Sequence, residues 1–180
     1  EHCIEKLNSM TYNMKILKVI LIIITITSFS SCGIYSFSGT SVPEGTKSFY
    51  VHYIKNTANL IQPTLSNNFT EALKTKCLNE TNLSWQEENP DISFSGTIKN
   101  YSIQPMSIQN NETAAQNRLT IEVEITYSNQ IDNSQNFNQI FNQYTDFDSS
   151  QNFSTIEEEL NNIIIDNLID DIFNKSLVNW

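Results

Sequence analysis

The chain has 180 residues, a formal net charge of −10, three cysteines and two histidines. That length supplies the core of one domain, and the acidic balance excludes the basic face that nucleic-acid binding requires. The acidity is concentrated late: residues 119–180 carry 11 acidic groups and one basic group.

Lys15 and Lys18 precede an uncharged run from Val19 to Phe29, which then gives way to small polar residues. A positive start, a short apolar core and a small-residue end describe a secretory signal. A transmembrane helix would need about 20 mostly apolar residues. The signal ends in "FSSC", which resembles the bacterial lipobox with Phe29 where leucine usually stands. In that motif the cysteine becomes the first mature residue and carries lipid. No His, Asp or Glu lies near Cys32 to make it a nucleophile or a metal ligand, so it is read as a lipid anchor. Stable anchoring takes more than one acyl chain. Residues 1–31 are therefore expected to be upstream residues plus a lipoprotein signal peptide, 32–46 a lipidated tether, and 47–180 a single α+β domain. Beyond Cys32 only Cys77 remains, and one thiol makes no internal disulfide.

Within the domain, "SFYVHYI" (48–54) reads as a first strand from its β-branched and aromatic content. Pro63 then opens a helix in which Leu65, Phe69, Ala72, Leu73 and Cys77 share a face, so Cys77 is expected to be an inert buried thiol. "DISFSGTI" (91–98) alternates as strand two. Its phase slips to Tyr101 and Ile103, predicting a bulge, and Pro105 ends it. In "RLTIEVEITY" the residues Leu119, Ile121, Val123, Ile125 and Tyr127 alternate with Thr120, Glu122, Glu124 and Thr126, so one face must be buried and the other wet. After a turn near Asp132 and Asn133, "NFNQIFNQYTDF" (136–147) reads as strand four, with imperfect alternation. The last helix is expected to start with a capping box of Ser154 and Glu157. Its apolar stripe runs through Ile156, Leu160, Ile163, Ile164, Leu168, Ile172 and Phe173. The order β-α-β-β-β-α predicts a two-layer α+β sandwich, a four-stranded mixed sheet with two helices on one face.

Chemistry is scarce along this frame. His52 stands on a strand with no partner in sequence and reads as structural. Glu157, Glu158 and Glu159 occupy a first helical turn, where the helix dipole favours them. Asp146 and Asp148 in "TDFDSS" lack the glycine and closing glutamate of a calcium loop. Asp166, Asp170 and Asp171 lie on or beside the polar face of the last helix. With no phosphate loop, nucleophile elbow or Cys/His cluster, the sequence predicts no enzyme, no cofactor and no metal.

Four stretches then carry a family resemblance: "CGIYSFSGTSVP", "PTLSNNFTEALKTK", "NETAAQNRLTIEVEITY" and "YTDFDSSQNFSTIEEEL…DIFNKSLVNW". Together they resemble the Bacteroidetes branch of the LptE family of lipopolysaccharide-assembly lipoproteins. The resemblance implies a β-α-β-β-β-α sandwich held on the periplasmic side of the outer membrane. It also implies a complex with the LptD barrel, which the lipoprotein plugs while lipopolysaccharide passes outward. Contact with that glycolipid would fall to the scarce cations Lys74, Lys76, Lys99 and Arg118. A rival reading is a periplasm-facing lipoprotein that binds a soluble ligand or adapts another envelope or secretion complex. Between strands two and three, "QPMSIQNNETAAQN" (104–117) is too long for a tight hairpin and carries the apolar residues Met106 and Ile108. It is the expected contact loop for the barrel.

Overall fold

The structure, a computed structural model, describes residues 42, 44–60, 62–106 and 115–178. Cys32, the apolar run before it, most of the tether and Ile108 lie outside the described residues. The elements are Ser48–Val51 (β1), Lys55–Asn56 (β2), Leu65–Glu80 (α1), Ser84–Trp85 (β3), Ile92–Pro105 (β4), Gln116–Asn129 (β5), a 3-10 turn at Asn133–Gln135, Phe137–Asp148 (β6) and Phe153–Leu177 (α2). They build an α+β fold around a six-stranded mixed sheet, ordered β3-β1-β4-β5-β6, with β2 also paired to β4. Strands β1, β2 and β3 join in parallel, whereas β4, β5 and β6 form an antiparallel meander.

The sheet holds two more strands than the four expected. The stretch read as one strand over 48–54 is broken in the middle. The amide of Ile54 donates to Thr70 Oγ1 on α1 at 3.0 Å, so the ladder lapses there and resumes at Lys55 as β2. The second addition, β3, is only two residues long and carries no periodicity to detect. The predicted slip in strand two is present as a register shift between Ile98 and Asn100.

Helix α1 starts at Leu65, two residues after Pro63. The Gln62 carboxamide oxygen accepts from the amides of Thr64 at 2.7 Å and Leu65 at 3.0 Å, satisfying donors that a first turn leaves open. At the far end Thr81 returns its amide and hydroxyl to the carbonyl of Cys77. Helix α2 corrects the expected capping box. Its cap is Asn152, whose side-chain oxygen accepts from Ser154 N at 3.2 Å. Ser154 already lies inside the helix, and Glu157 instead accepts a 2.7 Å hydrogen bond from Tyr101 Oη on β4.

Both helices bury their apolar sides against the same sheet face. Phe49, Phe94, Ile98, Ile121, Val123 and Ile125 of the sheet are fully buried, as are Phe69, Leu73, Cys77, Ile164, Leu168 and Ile172 of the helices. Each large apolar side chain buried in this way contributes about 1.5–3 kcal/mol. Leu160, Ile164, Leu168, Ile172 and Phe173 of the expected α2 stripe are buried and Ile156 packs against the core; the buried side also takes in Ile165 and Ile169, whereas Ile163 is 43% exposed. Gly96 lets β4 approach β5 closely, since a Cβ there would sit 2.1 Å from the Glu124 carbonyl oxygen.

Candidate functional site

Alternation along the strands forces a second, uncovered sheet face. On β4 it presents Ser93, Ser95, Thr97, Asn100 and Ser102, in register with Ser128, Thr126, Glu124, Glu122 and Thr120 of β5. On β6 the same rows continue through Asn138, Ile140, Asn142, Tyr144 and Asp146. The surface is mostly uncharged and polar. It carries two apolar side chains that no packing requires, Ile140 at 51% exposure and Tyr144 at 49%. The imperfect alternation of strand four was their trace in the sequence. They are the surface residues that reading the chain alone passed over.

Two ion pairs sit on this face. Lys99 reaches Glu124 at 2.9 Å, which holds the Glu124 carboxyl below its ordinary range. Arg118 grips Asp146 through two bonds of 2.7 and 2.8 Å and lies over the Tyr144 ring at 3.6 Å. The other two cations are on α1, away from this face. Lys74 stands over the Trp85 ring at 4.8 Å and 3.7 Å from Glu71. Lys76 is clasped between Glu80 at 2.7 Å and Asp170 at 2.9 Å. The four sequence-selected cations are thus split two and two, and each already faces a carboxylate.

The expected contact loop is shorter than 104–117. Gln104 and Pro105 pair with Arg118 and Asn117, and Met106 N donates to Gln116 O at 2.8 Å. The strands therefore extend into the stretch, and Met106 emerges at their tip, 37% exposed.

Two hollows remain. One, of about 470 Å³, gathers His52, Glu87, Asp91, Ser93 and Gln130. Its two carboxylates are occupied structurally: Glu87 accepts from Tyr50 Oη at 3.2 Å, and Asp91 accepts from Lys47 N at 2.7 Å, Ser48 N at 2.9 Å and Ser48 Oγ at 3.1 Å. Those donors, the Lys47 amide foremost, hold Asp91 below the usual carboxylate range. His52 itself is exposed and meets the edge of the Tyr50 ring at 4.7 Å. The other hollow, of about 570 Å³, lies between the helices around Lys76. Burial pushes the Cys77 thiol up to about 12, so it is no nucleophile at neutral pH. Among the described residues no group of three His, Cys, Asp or Glu side chains could hold a metal ion. Among the same residues no helix is long and apolar enough to cross a membrane.

The family model described as LptE, lipopolysaccharide-assembly, matches residues 46–176. Among solved structures, a minor lipoprotein from Acinetobacter baumannii is 15% identical, with a TM-score of 0.45, covering 68% of this chain and 91% of its own. A homolog of a putative neuraminyllactose-binding hemagglutinin from Helicobacter pylori is 9% identical, with a TM-score of 0.49, covering 78% and 88%. Lipoprotein GNA1162 from Neisseria meningitidis is 11% identical, with a TM-score of 0.39, covering 71% and 99%. No curated protein matches the chain.

Proposed function

As the chain belongs to the LptE lipopolysaccharide-assembly family over residues 46–176, we propose that it is a lipid-anchored plug for an LptD-type barrel, acting without catalysis at the periplasmic side of the outer membrane. The family match carries this reading, because it runs from before β1 to the last turn of α2. The open face adds a physical reason. A sheet surface rich in serine, threonine and asparagine, with Lys99 and Arg118 paired to carboxylates, suits the wet lumen of a barrel, where unpaired charges would need partners and a wholly apolar surface would need covering. Cys32 supplies the anchor in this proposal, and Met106 at the β4–β5 tip touches the barrel wall, with Ile108, two residues on in sequence, as the second contact residue. Lys99 and Arg118, which share the open face, are the cations best placed to meet a glycolipid phosphate by exchanging their carboxylate partners.

Co-purification tests the reading. The lipoprotein captured from detergent-solubilised outer membrane should bring down one large barrel protein, identified by mass spectrometry. Capture of a secretion component with no barrel would replace the plug with the adaptor reading. A photo-crosslinking residue at Met106 should give an adduct of barrel-plus-lipoprotein mass, and at Glu122 a weaker one. Replacing Cys32 by Ala should abolish incorporation of labelled palmitate.

A further inference from the structure

The sheet ends differently at its two sides. At one side β3 is two residues long, too short to template another strand. At the other, β6 runs for 12 residues, and among the described residues no strand pairs with its outer side. Its first nine residues, "FNQIFNQYT", contain no charge, proline or glycine, and those are the usual guards of an exposed edge. Asp146 follows, but Arg118 neutralises it.

The backbone phase of this edge can be read from one bond. Ser149 N donates to Ala115 O at 3.0 Å, in the same register as the β5–β6 ladder. Odd-numbered residues of β6 therefore turn their backbone groups toward β5, and even-numbered residues turn theirs outward. The outward set is Asn138, Ile140, Asn142, Tyr144 and Asp146. These are also the residues whose side chains stand on the open face.

That set is symmetric about Asn142. We propose that β6 pairs antiparallel with β6 of a second copy across a two-fold axis at Asn142, joining two sheets into one. In this register Asn142 opposes its own copy. The exposed Ile140 lies against the exposed Tyr144 of the second copy, and the reverse contact is made across the axis. Asn138 lies against Asp146, so no two like charges meet. The self-complementary order of the strand, apolar-polar-aromatic about its centre, is what selects a second copy over an unrelated strand. An isologous pairing also suits an acidic chain, since repulsion is least along its uncharged stretch.

The test uses the full chain in mild detergent. Hydrogen-bonded antiparallel partners have Cα atoms about 5.5 Å apart, within disulfide reach. Asn142→Cys should therefore yield an oxidised dimer well above the background set by the native cysteines, and Glu122→Cys should not. Asn142→Lys sets two ammonium groups face to face. It should weaken dimerisation by about tenfold or more in sedimentation while leaving the melting temperature in place. A native chain that sediments as a monomer at high concentration, or an Asn142→Cys variant that crosslinks only to a different protein, would overturn the proposal.

Discussion

Strand β5 meets two environments in alternate residues. Leu119, Ile121, Val123, Ile125 and Tyr127 are 0–1% exposed beneath the helices, whereas Thr120, Glu122, Glu124 and Thr126 are only partly covered on the other side. One backbone thus separates a face that must be packed from a face that need only be wetted. Stability is concentrated on the first, because apolar burial is the dominant favourable term. The second is free to vary, and it is where Ile140, Tyr144 and two ion pairs stand. A partner can use that face without disturbing the core.

The sharpest way to break this division lies on α2, where adjacent residues belong to different sides. Ile164 is fully buried and Ile163 is 43% exposed. Ile164→Asp places an unpaired carboxylate in the core, at a cost of several kcal/mol. It should abolish the cooperative thermal transition seen by circular dichroism. Ile163→Asp should shift stability by about 0.5 kcal/mol or less. Equal damage from the two would mean that α2 is rotated from the position described.

That pair also shows what the sequence could and could not convey. The run of Ile163, Ile164 and Ile165 offers helical periodicity two phases at once, and only packing against β5 and β6 decides between them. The expected stripe holds at Leu160, Ile164, Leu168, Ile172 and Phe173 and fails at Ile163, while the folded helix also buries Ile165 and Ile169. The cap moved from Ser154 to Asn152 for a related reason. Both residue types cap well, and Glu157, which seemed to complete the box, is held by Tyr101 across 56 positions of sequence. β5 was legible because its alternation is unbroken over ten residues. β2 and β3 were not, since two residues define no period and both exist only because β4 and β1 offer them an edge. Of the surface, the scarce cations could be listed from the sequence. Their carboxylate partners could not, because Arg118 and Asp146 meet only through strand register.

A second break, smaller than the first, lies between β4 and β5. A Cβ at position 96 would sit 2.1 Å from the carbonyl oxygen of Glu124, and a carbonyl fixed in a ladder cannot swing aside. Gly96→Ala should destabilise by about 1–3 kcal/mol, measured by urea unfolding, even though alanine is the smaller entropic burden in the unfolded chain. A neutral or stabilising result would show that the two strands are farther apart than described.

The third test uses pH at the junction of β1 and β4. The folded Asp91 carboxyl titrates below its unfolded value because Lys47 and Ser48 donate to its charged form. A depressed folded pKa gives stability that is complete above the unfolded value, about 3.9, and that is lost as pH falls through the folded one. Asp91→Asn should therefore melt below the native protein at pH 7, with the gap narrowing as pH drops from about 4 toward 3. A gap of constant width would mean that the Asp91 bonds do not depend on its charge.

The smallest effect on folding is expected on the open face itself, where it carries the most functional information. Lys99 and Arg118 pair with Glu124 and Asp146 at the surface, and exposed ion pairs contribute little because water and salt screen them. Removing both positive charges, as Lys99→Gln with Arg118→Gln, should move the melting temperature by only about 1–2 °C. The same change leaves Glu124 and Asp146 uncompensated, so the face becomes more acidic just where an anionic glycolipid would approach. If these cations serve as phosphate contacts, the double variant should bind lipopolysaccharide micelles about two- to fivefold more weakly at low salt, with the difference shrinking as salt is raised. Lys74→Gln with Lys76→Gln, on the helical side, should leave micelle binding at the native level. Unchanged binding in the first variant would remove Lys99 and Arg118 from the contact set. Loss in the second would move the glycolipid to the helices, and the wetted face would keep only a protein partner.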